Sequence, residues 1–176
     1  MQELVIQAIG FLALILFLIS YQFKSNRVLF MFQLTGSLLF SLQFFLLGAA
    51  SGCFNLGLNA IRSALLLKYN DWAWVRRKWL PLLFCLLYLL IAVFTWTGPL
   101  TLLTLIPSLV GTFCFWTNNA RTIRLGCMFC ASPCWLIYDI CVGSWGGAVN
   151  EAITIISVVV SIYRFGWKAL GEPQKT

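Results

Sequence analysis

The 176-residue sequence contains no histidine and few charged residues. Without histidine, the chain cannot use an imidazole for general acid–base catalysis, for a zinc-protease motif or as a haem ligand. Only 10% of the residues are charged, whereas soluble globular domains carry about 25%, so a soluble domain is excluded. The sequence also lacks a GxxxxGKS/T phosphate-binding loop, which argues against ATP-driven transport by this chain alone.

Basic residues outnumber acidic ones by twelve to five, but they are spread along the chain and form no basic patch. We therefore expect no nucleic-acid partner. The seven cysteines are odd in number and most lie in apolar stretches, so a secreted disulfide framework is not expected. These features indicate a membrane protein with no room for a soluble catalytic domain, and we expect neither enzymatic activity nor a cofactor.

Long apolar runs are what the sequence has in abundance, since 61% of its residues are hydrophobic. A helix that spans a bilayer needs about 20 mostly apolar residues. Hydropathy predicts an all-α membrane protein with seven transmembrane helices, at 4–21, 28–47, 53–67, 79–97, 100–116, 123–142 and 149–163. The first run begins with Met-Gln-Glu and has no small-residue cleavage site, so we expect a retained span rather than a signal peptide.

The charges between the predicted spans predict their orientation. Basic residues occur between spans 1 and 2, 3 and 4, and 5 and 6, and after span 7, whereas the other loops are uncharged. Because cytoplasmic loops are enriched in lysine and arginine, we expect the N-terminus outside and the C-terminus inside. We expect a multi-pass protein of the plasma or bacterial inner membrane, with the lipid bilayer as a partner, that could form a homo-oligomer.

A shift of 95 residues aligns the first part of the sequence with the last part. It superimposes several small and polar residues and the basic loops that follow spans 1 and 5. Three identities stand out: Gly48, Gly52 and Asn55 fall on Gly143, Gly147 and Asn150. We expect the glycines to make tight turns at the outer ends of the spans, with close helix packing as the alternative.

This alignment predicts two parallel repeats of three helices, joined by a fourth helix that inverts the chain. The first repeat is predicted at residues 1–69 and the inverter helix at 70–98. The second repeat is predicted at 99–168, and a cytoplasmic tail at 169–176. Pro107 and Pro133 lie in spans of the second repeat, whereas span 1 has no proline, so the two repeats do not share a proline hinge.

The basic loop FKSNR (23–27) and the segment QFFLLGAASGCFNLGLNAIRS (43–63) carry a family resemblance. Together with the 3+1+3 arrangement, they resemble the SWEET/PQ-loop superfamily, and more closely the YgjV-type bacterial inner-membrane proteins. The resemblance implies a small-solute transporter or facilitator with a central pocket between the repeats and alternating access. The implied solute is a sugar, a nucleoside, a vitamin or a similar small polar metabolite. By the same resemblance, Asn55 with Asn150, or Asn59 with Thr154, would contribute to the pocket.

Polar residues recur at i, i+4 and i+7 on span 3 and at the shifted positions on span 7: Asn55, Asn59 and Arg62, and Asn150, Thr154 and Ser157. Polar groups in membrane helices face the bundle interior or a wet cavity, so this stripe is a candidate solute-binding site. Amides suit a neutral ligand, whereas an arginine favours an anionic or carbonyl-bearing one. Helix capping is the alternative role for the outermost asparagines, Asn55 and Asn150.

Two acidic residues are candidate partners for Arg62. Asp139 lies in span 6, and Glu151 lies near the outer start of span 7. Because a buried arginine needs a counter-charge, we expect an ion pair with one of them. Asp139 could take part in proton coupling or form only a static ion pair. Trp135 and Tyr138 flank Asp139 and are expected to form an aromatic wall of the pocket.

Four cysteines of span 6 are predicted to share one helix face: Cys127, Cys130, Cys134 and Cys141. Thiolates are soft ligands that suit Cu(I). However, one straight helix presents ligands in a line rather than around an ion, and cysteine is also a small apolar residue. We therefore expect no metal site.

A non-transporting membrane protein is the alternative to a transporter. Such a receptor, scaffold or assembly factor would use the basic segment 72–78 to bind a cytoplasmic partner or anionic lipid. A water-accessible central cavity would favour transport, whereas a sealed, fully packed bundle would favour this alternative.

Overall fold

A computed structural model describes the backbone of residues 2–171 and the side chains of residues 3–170. Its helices are α1 (Gln2–Tyr21), α2 (Asn26–Leu46), α3 (Ala50–Leu66), α4 (Trp79–Phe94), α5 (Leu100–Trp116), α6 (Ala120–Gly126), α7 (Ser132–Val142), α8 (Trp145–Phe165) and α9 (Trp167–Gly171). A 3₁₀ turn, Ala73–Arg76, precedes α4, and a π-helical turn, Cys127–Ala131, joins α6 to α7. The predicted tail at 169–176 lies outside the described residues from position 172 onward.

The all-helical class predicted from the sequence is confirmed, since residues 2–171 contain helices and no strands. Four helical segments within this range are long and apolar enough to cross a membrane: Glu3–Tyr21, Asn26–Leu46, Ala120–Val142 and Trp145–Phe165. Helices α4 and α5 are apolar but shorter. The segment Ala120–Val142 shows that α6, the π turn and α7 form one continuous rod.

Helices α3 and α8 both begin earlier than predicted. Helix α3 starts at Ala50 rather than at position 53, and α8 starts at Trp145 rather than at 149. The first turns hold small residues such as Ser51 and Gly147, which lower the hydropathy of a segment without ending a helix. Hydropathy therefore placed both starts too far along the chain.

The distribution of side chains is typical of a protein that lies in lipid. Large apolar side chains are exposed on the outside of the bundle, among them Leu4, Phe45, Leu82, Val93 and Phe94. The interior holds many buried serine, threonine, asparagine and glutamine side chains. Lipid tails are as apolar as leucine, so apolar residues gain little from burial, whereas polar groups avoid the lipid.

Helix packing relates two groups that we call the first triplet (α1–α3) and the second triplet (α5, the α6–α7 rod and α8). Helix α2 packs against α1 and α3, and α7 packs against α5 and α8. Between the triplets, α1 packs against α8 and α3 packs against α5. Helix α4 lies against α3 and α5. The first helix of each triplet therefore contacts the third helix of the other, and the buried polar side chains lie between them.

Two glycines make the turns before α3 and α8. Gly48 has a φ of +71° and Gly143 a φ of +75°, and no atom lies within 4 Å of where a Cβ would stand. These positions require glycine for its backbone conformation rather than for close packing. The tight turns predicted for Gly48 and Gly143 are confirmed.

Gly52 and Gly147 have a different role from the turn glycines. Both lie inside helices, and a Cβ on Gly52 would come within 2.9 Å of the Tyr138 ring. A Cβ on Gly147 would come within 2.6 Å of the Asp139 carboxyl group. The prediction that these two glycines make turns is wrong, and close packing against α7 is their role.

Candidate functional site

A cavity of about 80 Å³ lies between the two triplets. One water needs about 10–15 Å³ by this kind of measure, so the cavity can hold several waters or a small solute. Apolar walls are provided mainly by phenylalanines and by Trp135. The polar part of the lining comes from both triplets: Tyr21, Gln33, Ser37, Asn59, Arg62, Ser108, Ser132, Asp139, Asn150, Glu151 and Thr154.

Most of the residues predicted from the sequence to bind a solute meet at this cavity. Seven of the ten line it: Asn59, Arg62, Trp135, Asp139, Asn150, Glu151 and Thr154. The other three are described by the structure but lie outside the cavity wall: Asn55, Tyr138 and Ser157. The polar stripes of α3 and α8 therefore face one another across a common space. On α3, only the two deeper residues of the stripe, Asn59 and Arg62, line this space.

Asn55 is engaged in packing between α3 and α5. Its Nδ2 donates to the Thr104 hydroxyl at 3.3 Å, and its Oδ1 accepts from the Ser108 hydroxyl at 3.0 Å. Asn55 and Asn150 each stand five residues after the start of their helix, beyond the first turn. The helix-cap alternative for these two asparagines is therefore wrong.

Ser157 and Tyr138 hold other helices in place. The Ser157 hydroxyl accepts a hydrogen bond of 2.8 Å from Nε2 of Gln22, just after α1. The Tyr138 hydroxyl lies 2.8 Å from the Ser51 hydroxyl and accepts from the Gly52 N–H at 2.9 Å. Both side chains therefore connect the two triplets at the borders of the cavity.

Arg62 is buried, with 4% of its surface exposed. Its Nη1 donates to the Thr112 hydroxyl at 3.0 Å, and its guanidinium carbon lies 4.5 Å from the centre of the Phe115 ring. The expected ion pair with Asp139 or Glu151 is wrong, because among the described residues neither carboxylate comes within 4.0 Å of the guanidinium. The Nε atom of Arg62 has no hydrogen-bond partner in this part of the chain.

Depth in the bundle explains why the ion pair does not form. Arg62 stands twelve residues after the start of α3, whereas Glu151 stands six residues after the start of α8. At 1.5 Å per residue this difference is about 9 Å along the helix axis. Asp139 lies three residues before the end of α7 at Val142, and thus also near the predicted outer side.

The two acidic residues form the other end of the cavity. Asp139 is 3% exposed, and its Oδ1 has no hydrogen-bond partner within the described range. Glu151 is partly exposed, and its Oε1 accepts from Nδ2 of Asn150 at 2.9 Å. Asn150 Oδ1 and Thr154 Oγ1 are also without partners among the residues described. The cavity therefore has a basic end and an acidic end, and polar atoms at both ends have unused hydrogen-bonding capacity.

Of the two aromatic residues predicted to form a wall of the pocket, only Trp135 lines the cavity. Its ring stacks on Phe44 at a centroid distance of 6.1 Å and meets the Tyr138 ring edge-on at 5.6 Å. Trp135 is itself buried and lines the cavity. The wall therefore joins α2 to α7.

Five polar residues of the lining were not among the predicted binding residues: Tyr21, Gln33, Ser37, Ser108 and Ser132. The 95-residue shift of the sequence against itself places Ser37 on Ser132. A matched pair of polar residues on two spans was therefore a usable signal. Gln33 and Ser108 have no polar counterpart under the shift, so the repeat could not reveal them.

The basic charge predicted between spans 5 and 6 comes from Arg121 and Arg124, but the structure places Arg124 inside a helix. Helix α6 begins at Ala120, so Arg124 is a helical residue, and its side chain is fully buried. Its Nε donates to the Ser161 hydroxyl at 2.7 Å, and its Nη2 donates to the carbonyls of Tyr21 and Phe23 at 3.1 and 3.0 Å. The guanidinium thus donates to backbone carbonyls at and just after the C-terminal end of α1. Carbonyls at this end of a helix have no N–H partner within the helix.

The cysteines of the α6–α7 rod do not share one face. Cys127 is buried, and its Sγ accepts from the Tyr21 hydroxyl at 3.1 Å, whereas Cys141 is exposed. The π-helical turn interrupts the α-helical spacing on which that prediction rested. Within the described residues, no group of three or more cysteine or acidic side chains could hold a metal ion.

An apolar exterior, membrane-length helices and a buried polar cavity define an integral membrane protein. The sequence profile of the YgjV-type bacterial inner-membrane proteins matches residues 4–169, so the chain belongs to this family and lies in the inner membrane. The chain is also similar to inner membrane protein YgjV of Escherichia coli (strain K12). The two are 28% identical over 163 residues, which make up 92% of this chain and 84% of that protein. No solved structure matches the chain.

Proposed function

We propose that this protein is a small-solute transporter or facilitator, not an enzyme, and that its solute binds in the central cavity. The observation that carries the proposal is the cavity of about 80 Å³ between the triplets, in whose wall buried polar atoms are left without partners. An unpaired buried polar group costs about 1–3 kcal/mol. A scaffold gains nothing from this cost, whereas in a transporter the solute supplies the missing partners.

We further infer seven spans, arranged as two parallel repeats around the inverter α4, with the N-terminus outside. Helices α3 and α8 begin 95 residues apart, which is the shift that aligns the sequence with itself. The turn glycines Gly48 and Gly143 share a left-handed conformation. The contact of α1 with α8 also corresponds, under the same shift, to the contact of α5 with α3. These correspondences support a two-fold relationship about an axis along the membrane normal.

Crossed contacts between the triplets support the same arrangement. Gln43 of α2 accepts a hydrogen bond of 3.2 Å from Ser144, the residue before α8. Tyr138, which the shift places on Gln43, bonds in turn to Ser51 at the start of α3. Each triplet thus holds the start of the other's third helix. In our proposal, the two triplets rock about the cavity, and these contacts on the outer side break when the cavity opens outwards.

An untargeted comparison of metabolites inside cells and in their medium would test the proposal. Cells that make the protein should differ from cells without it in the distribution of a small set of polar metabolites. A Thr154→Val variant should abolish this difference, because Thr154 lines the cavity and its hydroxyl has no partner in the described structure. Thr35→Val is the matched control, because Thr35 is exposed and bonds only to its own helix.

The solute found in this way should then be taken up by liposomes that contain the purified protein. If Thr154→Val gives the same uptake as Thr35→Val and the unaltered protein, the assignment of the solute to the central cavity fails. If no metabolite differs between the two cell types, the transport proposal itself fails. A receptor or scaffold would then be the better explanation of the family.

A further inference from the structure

Three charged side chains line the central cavity, and none of them forms an ion pair with another described residue. They are Arg62, Asp139 and Glu151. Arg62 and Asp139 are more than nine-tenths buried, and each has a polar atom without a hydrogen-bond partner in the described structure. Charges in a membrane protein interior are paired, or they mark the path or site of a ligand.

The charges are separated by sign. The guanidinium of Arg62 is held on α5 by the Thr112 hydroxyl and the Phe115 ring. Thr112 stands twelve residues after the start of α5, as Arg62 does in α3. The acidic side chains lie nearer the predicted outer end, with Glu151 about 9 Å higher than Arg62 along the helix axis. The cavity is thus a dipolar space, negative at one end and positive at the other.

We propose that the ligand of this cavity is a small zwitterion, whose cationic group binds at Asp139 and Glu151 and whose anionic group binds at Arg62. The inference rests on the proposed function only in placing a ligand in the central cavity. A bound zwitterion supplies a counter-charge to each end without changing the net charge of the buried site.

Ligands of other classes satisfy this cavity less well. A neutral polyol leaves all three charges without a counter-ion, and an anion alone leaves the two carboxylates without one. A cation alone leaves the guanidinium of Arg62 with only a hydroxyl and an aromatic ring as partners. Arginine favours carboxylate ligands because its guanidinium can make two parallel hydrogen bonds to them. A carboxylate is therefore the anionic group that this site fits best.

Thermal unfolding of the purified full-length chain in detergent would test the proposal with nine probes. The zwitterions are alanine, 4-aminobutyrate and 6-aminohexanoate, which differ in the distance between their charges. Each is compared with its N-acetyl derivative, which keeps only the carboxylate, and with its methyl ester, which keeps only the ammonium group. We expect at least one zwitterion to raise the unfolding temperature and to bind at least tenfold more tightly than both of its derivatives.

Variants of the charged residues assign each ligand group to its end of the cavity. In Arg62→Met, the zwitterion and its methyl ester should bind equally, because the carboxylate has lost its partner. In Glu151→Gln combined with Asp139→Asn, the zwitterion and its N-acetyl derivative should bind equally. Arg121→Met is the control, because Arg121 lies over the Trp167 ring outside the cavity wall and should leave the preferences unchanged.

The proposal is overturned if single-charge derivatives bind as tightly as their zwitterions, or if none of the nine probes binds. The nine probes measured on the unaltered protein are sufficient to test the proposal even if a variant does not fold. Zwitterion binding without uptake into liposomes would support the inference and refute the proposed transport. Uptake of a neutral solute without any zwitterion binding would refute the inference and leave transport in place.

Discussion

Tyr138 and Gly52 are joined by a hydrogen bond of 2.9 Å that crosses from the second triplet to the first, with the Gly52 N–H as donor. Gly52 is the third residue of α3, where a backbone N–H has no acceptor within its own helix. The Tyr138 hydroxyl, which belongs to α7, therefore caps the N-terminal end of α3. The ring can come this close only because Gly52 has no Cβ, which would stand 2.9 Å from it.

Removal of the Tyr138 hydroxyl should weaken the contact between the triplets. In Tyr138→Phe, the buried Gly52 N–H and the Ser51 hydroxyl lose a partner, which costs about 1–3 kcal/mol of unfolding free energy. Thermal unfolding in detergent would measure the loss. Tyr163→Phe is the control, since Tyr163 is 92% exposed and should tolerate the change. Equal unfolding temperatures for the two variants would contradict this role of Tyr138.

The turn glycines should differ from the helical glycines in their response to alanine. Gly143→Ala should cost about 1–2 kcal/mol, because a Cβ is unfavourable at a φ of +75° although no neighbour contacts it. Gly147→Ala should cost more and should also impair solute binding, because its Cβ would displace the Asp139 carboxyl group. Unfolding temperature and binding would be measured on both variants. A Gly147→Ala protein with normal solute binding would show that Asp139 does not need its present position.

Even a conservative substitution of Arg124 should destabilise the protein. Its guanidinium holds Ser161, Tyr21 and Phe23 together, and a lysine ammonium cannot reach all three from one position. Each hydrogen bond lost from a charged group removes about 1.5–3 kcal/mol. Arg124→Lys should therefore lower the unfolding temperature clearly, whereas Arg121→Lys, on a partly exposed residue of the same helix, should not. The prediction fails if both lysine variants unfold alike.

Cys114 should report on water in the cavity. It lines the cavity, whereas Cys85 of α4 is similarly half-buried but lies outside the cavity wall. In proteins that keep only one of these two cysteines, a charged methanethiosulfonate reagent should modify Cys114 faster than Cys85. A bound solute should slow the reaction of Cys114. Modification at equal rates, measured by mass spectrometry, would show that the cavity is not open to water.

Helix positions could be predicted because apolar length dominates them, and the 95-residue shift identified the matching turns at Gly48 and Gly143. The starts of α3 and α8 were missed, because small residues reduce hydropathy and yet continue a helix. The sequence also could not show that the side chain of Arg124 is buried. Its guanidinium is buried only because carbonyls from the end of α1, about a hundred residues away in sequence, come within reach of it.

The site was predictable as a set of residues but not as a set of contacts. The polar stripe correctly brought Asn59, Arg62 and Thr154 to one cavity. The expected ion pair failed, because residue spacing gives the face of a helix but not its depth relative to another helix. Asn55 shares a face with Asn59, yet hydrogen bonds to α5 occupy its amide. Whether a polar residue lines the cavity or bonds to a neighbouring helix depends on how the two triplets pack, which residue spacing does not show.

The π-helical turn at Cys127–Ala131 sets the rotational register of everything that follows it in the rod. Such a turn accommodates one residue more than an α-helical turn, and one residue corresponds to about 100° of rotation about the helix axis. Trp135 and Asp139 follow the turn, and both line the cavity. In an uninterrupted α-helix they would point about a quarter of a revolution away. The insertion of a single residue thus determines whether Trp135 and Asp139 face the cavity.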